Sequence, residues 1–320
     1  FGLDQLEEQE RAFAGAFLCR VVNGTSSQSV HPKLADVMEA IISELFRTNQ
    51  ESPMPYTERL GVYSGKETRL HTEIQELLSS GHINISNTER KTWYLIRDKL
   101  YQLGDEYFSH ARFCHRQGSA CLTELMQLLT SSSTLRSRFA TYKTPAGDSI
   151  IDYIIISLDT LLSRYSKIFA YQSQIDISQA RVIGVNLKGI TGNSSDAETV
   201  NTKKLFGMLG KYVAEKNFWR EPKSFMPLVP PLYKEMYEKI ISLDTSMKKH
   251  SYGDEYKQYK SDEMDSLLDN SALIARKYGL CITISSQSVL HMPHETLKLA
   301  TNLYILKMTN EDANYLAETY

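Results

Sequence analysis

Trp93, Ile96, Leu100, Leu103, Tyr107, Ala111 and Cys114 recur at intervals of three or four residues. A stripe of that period is one face of an α-helix, and it commits this part of the chain to helix-on-helix packing. It reads as a packing seam rather than a cofactor box, and the helical signal runs from about Thr88 to Thr130. Neighbouring segments follow the same grammar. In FGLDQLEEQERAFAGAFLCRVV, Asp4 and Glu7 suit a reciprocal N-terminal cap, and Leu6, Phe13, Phe17 and Val21 return on one face. HPKLADVMEAIISELFR places Pro32 in a first turn, followed by Leu34, Met38, Ile41 and Leu45. Further helices are expected over about 66–79, ending at Gly81, and over 149–165.

Beyond the turn TPAGD the pattern changes. ARVIGVNL, 180–187, is short, apolar and β-branched, and predicts a buried strand. A helix to about Trp219 follows, then one behind the proline pair of PLVPPLYKEMYEKIISL. The charged stretch from Ser246 to Asp265 reads as exposed and mobile. A helix to Tyr278, a strand over 280–286, a helix near 294–300, the strand LYILKM and a final helix capped by Thr309 complete the order. Strands alternating with helices predict a mostly parallel sheet covered on both faces.

The totals set few limits. A chain of 320 residues with 42% apolar and 23% charged residues is ordinary for a globular protein, and a net charge of −2 offers no general attraction to nucleic acid. The longest apolar runs, YIIISL among them, fall far short of the ~20 residues of a spanning helix. Four scattered cysteines suit a reducing compartment.

Several motifs are weak. KGITGNS, 188–194, lies between a predicted strand and a helix, but Asn193 stands where a phosphate loop needs lysine. His110, Cys114, His115 and Cys121 match no standard zinc spacing, so no metal is assigned. GDEY, 253–256, has the acidic pair of a Walker B strand, yet KKHSY before it does not read as a buried strand, so the pair is taken as solvated. In RKTWYLIRDKLY, Arg90, Arg97 and Lys99 are read as a solvated face.

ALIARKYGLCITISSQS, 272–288, is different. Gly279 suits a left-handed helix stop, LCITISS a buried strand, and Gln287 the carboxyl edge where parallel sheets place ligands. An amide there both donates and accepts, so it can orient a water or contact a terminal phosphate; otherwise it simply caps the strand. Arg276 and Lys277 precede the strand and belong at its opposite end.

LIARKYGLCITISSQS, followed by LKLATNLYILKMTNEDANYL, resembles the carboxyl-terminal core of the type IV secretion and conjugation ATPases, which are hexameric motors related to the FtsK/HerA group. RYSKIFAYQSQIDISQARVIGVNLKGI and FGLDQLEEQE also resemble segments of that family. The resemblance implies a RecA-like, mostly parallel α/β sheet with a large all-α insertion: 1–30 a core helix, 31–147 the insertion and 148–320 the rest of the core. It implies that Gln287 is a sensor, that Arg276 acts across a subunit interface with Lys277 as a second candidate, and that ATP and magnesium are the cofactors. The implied partners are further copies in a hexamer, other secretion ATPases, inner-membrane complex proteins, and a protein or nucleoprotein substrate. The implied location is the cytoplasmic face of a bacterial inner membrane.

Two departures accompany it. No Walker A sequence is present, and no Asp-Glu pair follows a buried-looking strand between 190 and 270. The chain is therefore expected to be the carboxyl-terminal part of a motor, inactive alone. The rival expectation is a non-catalytic docking module that recruits a partner ATPase or a substrate.

Overall fold

The computed structural model describes residues 8–26, 29–56, 66–169, 180–187 and 196–319. The Asp4–Glu7 cap and the 188–194 glycine loop lie outside the described residues. Two compact units form. One contains the described parts of 8–23 and 29–181 together with Pro227–Lys234; the other contains the described parts of 182–226 and 235–319.

The first unit is helical: α1 Glu8–Asn23, α2 Leu34–Glu51, α3 Lys66–Ser79, α4 Trp93–Leu103, α5 Phe108–Gly118, α6 Leu122–Ser131, α7 Ser133–Arg138, α8 Ile150–Arg164 and the single turn α9 Ser166–Phe169. Thr92 starts α4 by accepting from the Leu95 N–H at 3.2 Å. The stripe that reads as one continuous helix breaks at Gly104, whose φ of 136° is open to glycine and strained for other residues. The break folds α4 back along α5. Trp93, Ile96, Leu100, Ala111 and Cys114 then bury themselves in one cluster with Tyr56, Ile74, Ile83 and Phe113. Each of the large aliphatic and aromatic side chains among them contributes on the order of 2 kcal/mol by leaving water. A second layer forms where α1, α2, α6 and α8 pack, around Phe17, Met38, Ile41, Leu129, Ile154 and Leu158.

Arg97 departs from the solvated face expected of it. It is 2% exposed. Its Nε donates to Asp98 at 2.7 Å, its Nη1 meets His115 Nδ1 at 3.0 Å, and its guanidinium lies 4.5 Å from the Tyr94 ring centroid. Burial is tolerated because the charge is paired and stacked.

The second unit contains α10 Ala197–Glu215, α11 Pro222–Phe225, most of α12 Lys234–Ser246, β1 Lys249–Gly253, α13 Asp262–Ile274, β2 Leu280–Ile284, α14 His294–Lys298 and α15 Asn310–Thr319. β1 and β2 pair in parallel, with Lys249 opposite Leu280 and Gly253 opposite Ile284. Gly279 ends the turn before β2 at φ 63°, in the left-handed region.

This architecture corrects the expected RecA-like sheet. The described residues are mostly α, and their sheet has two strands. Residues 180–187 and 303–308, both expected as strands, are irregular. Val182 is 89% exposed and Leu306 fully so. An apolar β-branched run becomes a strand only where a neighbouring edge accepts its backbone hydrogen bonds. Among the described residues β1 and β2 pair only with each other, and neither run joins them.

The expected mobile stretch contains a strand instead. In β1 each of the first three polar side chains finds a partner. Lys249 donates to the Phe218 carbonyl at 3.0 Å, His250 meets Thr283 Oγ1 at 2.9 Å across the pair, and Ser251 donates to Glu215. Those partners replace the apolar burial that a strand of this kind usually needs.

Candidate functional site

The strand β1 changes the reading of GDEY. Asp254 and Glu255 follow directly from its carboxyl end, beside the carboxyl end of β2. Ser285 fastens the two ends. Its N–H donates to Gly253 at 2.8 Å, its carbonyl accepts from the Tyr256 N–H at 3.1 Å, its hydroxyl donates to Asp254, and its Oγ accepts from the Glu255 N–H at 3.3 Å. Gln287 follows two residues later. The acidic pair and the glutamine are thus gathered at one sheet edge, the position where parallel strands present ligand-binding groups.

The backbone at this edge is strained. Glu255 has φ 48° and ψ 51°, and it is the only non-glycine with positive φ among the described residues. A residue with a Cβ pays on the order of 1 kcal/mol there. Tyr256 anchors the turn from beneath. It is buried, its hydroxyl donates to Asp265, and burial first, then that carboxylate, pushes its pKa far above the usual phenol range. Asp254 and Glu255 themselves remain exposed, with the Gln258 side-chain amide donating to Glu255.

Gln287 is exposed and has no hydrogen-bond partner among the described residues. Its neighbours are held: Ser286 Oγ meets His291 Nδ1 at 3.0 Å, and the Ser288 hydroxyl donates to Asp312. Burial, reinforced by the charges of Lys257 and Lys260, lowers the His291 pKa.

Arg276 and Lys277 are not part of this edge. Both precede β2, so the strand separates them from Gln287 by roughly five residues at about 3.3 Å each. Lys277 is engaged by Glu221 at 3.0 Å, a hydrogen bond that raises its pKa. Arg276 is exposed and makes no ion pair among the described residues.

The other weighed motifs are occupied structurally. His110 Nε2 lies 2.7 Å from Glu73, His115 bonds Arg97, Cys114 is fully buried, and the Cys121 thiol donates to Glu124 at 2.6 Å. A cavity of about 450 Å³ in the helical unit is lined by Tyr94, Arg97, Asp98 and Pro227–Pro231. Its cation is already paired with Asp98, so it offers no charge to a ligand.

The sequence singles out Gln287 and reads the acidic pair as solvated, and all three residues are exposed; what it does not show is the strand that precedes the pair. The overlooked signal was the alternation of KHSYG, in which Lys249, Ser251 and Gly253 share one face. No family model matches the chain, and no curated protein or solved structure matches it. No helix among the described residues is long and apolar enough to cross a membrane.

Proposed function

We propose that this chain carries the acidic-pair and sensor-glutamine portion of a nucleoside-triphosphate-hydrolysing motor of the kind that energises bacterial type IV secretion. The observation that supports it is the Asp254–Glu255 pair at the end of β1, fastened through Ser285 to the strand that leads into Gln287.

The exposed carboxylate oxygens at an open sheet edge fit a nucleotide carrying magnesium, a cation that takes hard oxygen donors. When bound, that ion supplies neutralisation of the phosphate charge, and Asp254 is the residue suited to hold it. Hydrolysis needs a water attacking the terminal phosphorus in line. Glu255 is suited to orient that water and take its proton. The Gln287 amide can donate to a phosphate oxygen and accept from the same water. Arg276, free of ion pairs among the described residues, is the stronger candidate to act on a neighbouring copy's nucleotide; Lys277 is committed to Glu221.

Within that family, the chain resembles the Dot/Icm secretion ATPase IcmB (DotO). The reading carries the family's context as proposals: a hexamer, other secretion ATPases and inner-membrane complex proteins as partners, a protein or nucleoprotein cargo, and a peripheral place at the cytoplasmic face of the inner membrane. No Walker A sequence lies within these 320 residues, so the phosphate-binding elements would come from elsewhere.

ATP turnover by the full-length protein, across concentrations that span assembly, tests the reading. Gln287→Ala and Glu255→Gln are each expected to lower kcat by about a hundred-fold or more while the protein stays folded. Turnover that is absent in every assembled state, or indifferent to both changes, would favour the docking module.

A further inference from the structure

We infer that Asp312 is a positioning residue for Gln287, holding the sensor loop through its buried carboxylate and joining that loop to the first turn of α15. The inference rests on the reading of Gln287 as the sensor.

Gln287 stands between two fixed residues and is itself without a partner among the described residues. On one side Ser286 is held by His291. On the other side the loop ends on Asp312. Its Oδ1 accepts from the Ser288 hydroxyl and from the Val289 N–H at 3.2 Å. Its Oδ2 accepts from the Thr309 N–H at 3.0 Å and the Thr309 hydroxyl at 2.8 Å, while its own N–H donates to Thr309 Oγ1 at 3.2 Å. Asp312 as a whole is 2% exposed.

No cation is ion-paired with Asp312 among the described residues. A carboxylate buried without one is costly unless hydrogen-bond donors replace the lost water. Here four donors do so, two from the loop and two from the helix start. The Thr309–Asp312 exchange is a reciprocal N-terminal cap, so the same group that begins α15 also fixes the backbone directly after Gln287. A side chain that must meet a phosphate or a water gains from a loop fixed on both sides, because the cost of ordering is met before the ligand arrives. Displacement of Gln287 by about 1 Å is enough to cost on the order of a hundred-fold in rate.

The test uses the full-length protein with magnesium and ATP, comparing wild type, Asp312→Asn, Ser288→Ala, Gln287→Ala and the two double variants with Gln287→Ala. Ser288→Ala removes the hydroxyl's bond to Asp312 and its cap on the Leu290 N–H, and leaves the cap of α15 intact, so it decides the matter where Asp312→Asn fails to fold. The expected result is a fall in kcat of about ten-fold or more for either change, a KM for ATP within about two-fold of wild type, and no further loss on the Gln287→Ala background. Unchanged kcat in folded Asp312→Asn and Ser288→Ala, or a further loss on the Gln287→Ala background, would overturn the inference and leave the sensor reading standing. A wild-type protein without turnover would remove that reading, and the inference with it.

Discussion

The hydroxyl of Tyr233 donates to Asp98 at 2.6 Å across 135 positions of sequence. The Tyr233 ring is buried, meets Tyr101 edge-on at 4.5 Å and lies beneath the Arg97 guanidinium. Asp98 therefore serves two buried donors, the phenol and Arg97. Burial raises the Tyr233 pKa far beyond the usual range, so the phenol stays a donor at all working pH. Tyr233→Phe is expected to destabilise the protein by about 1 kcal/mol, because it withdraws a donor from the half-buried Asp98 carboxylate that pairs with buried Arg97. Urea unfolding measures this, and a change within about 0.5 kcal/mol would show the bond to contribute little.

Glu255 offers a separation of stability from activity. Its left-handed backbone is held although a Cβ disfavours it. Glu255→Gly relieves a strain on the order of 1 kcal/mol, partly offset by the freer unfolded chain. The expected outcome is an unfolding midpoint no lower than wild type, together with lost ATP turnover. A clear drop in the midpoint would mean that the side chain stabilises the edge rather than straining it.

Asp312 carries a pH signature. The Ser288 hydroxyl, then the Thr309 N–H and hydroxyl, hold its carboxyl at about 2. A carboxyl lowered on folding stabilises the fold above its ordinary value of about 4, and the contribution is lost as pH falls from there toward about 2. Asp312→Asn is expected to be less stable than wild type at neutral pH, with the gap closing across that acid window. A gap that stays constant down to pH 2 would contradict the assignment.

Gly207 marks a tight approach on α10. A Cβ there would come within 2.6 Å of Tyr259 Cβ and 3.1 Å of its Cγ, atoms close to the backbone with little room to retreat. Gly207→Ala is expected to cost about 1–3 kcal/mol despite the better helix propensity of alanine. Thermal unfolding reads the sign directly.

The thiols should separate by reactivity. Burial pushes the Cys114 thiol far above its usual pKa, whereas Cys281 on β2 is exposed. Under native conditions iodoacetamide is expected to modify Cys281 and spare Cys114, as read by peptide mass spectrometry. Equal labelling would mean that the α4–α5 core opens freely.

What could be read from sequence was what short-range chemistry decides. The helices over 66–79 and 150–164, the Gly279 stop and the Thr309 cap each depend on residues within a turn or two. The misread elements depend on distant partners. KHSYG is a strand because Glu215, Phe218 and Thr283 satisfy it, and nothing within KHSYG announces them. LYILKM has strand composition but no edge to join among the described residues. Arg97 belongs to the core because Tyr233 and His115 meet it there. The two strands at the candidate site differ for the same reason: the one leading to Gln287 is apolar and legible, while the one leading to Asp254 and Glu255 is polar.

Pro227–Lys234 belongs to the helical unit, although the chain between 182 and 226 does not. A ribosome must therefore make that intervening stretch before it delivers Tyr233. At roughly 5–20 residues per second the delay is a few seconds. Throughout it Arg97 and Asp98 wait with one side of their pair uncovered, so α4 is finished only once a residue 135 positions further along the chain has arrived.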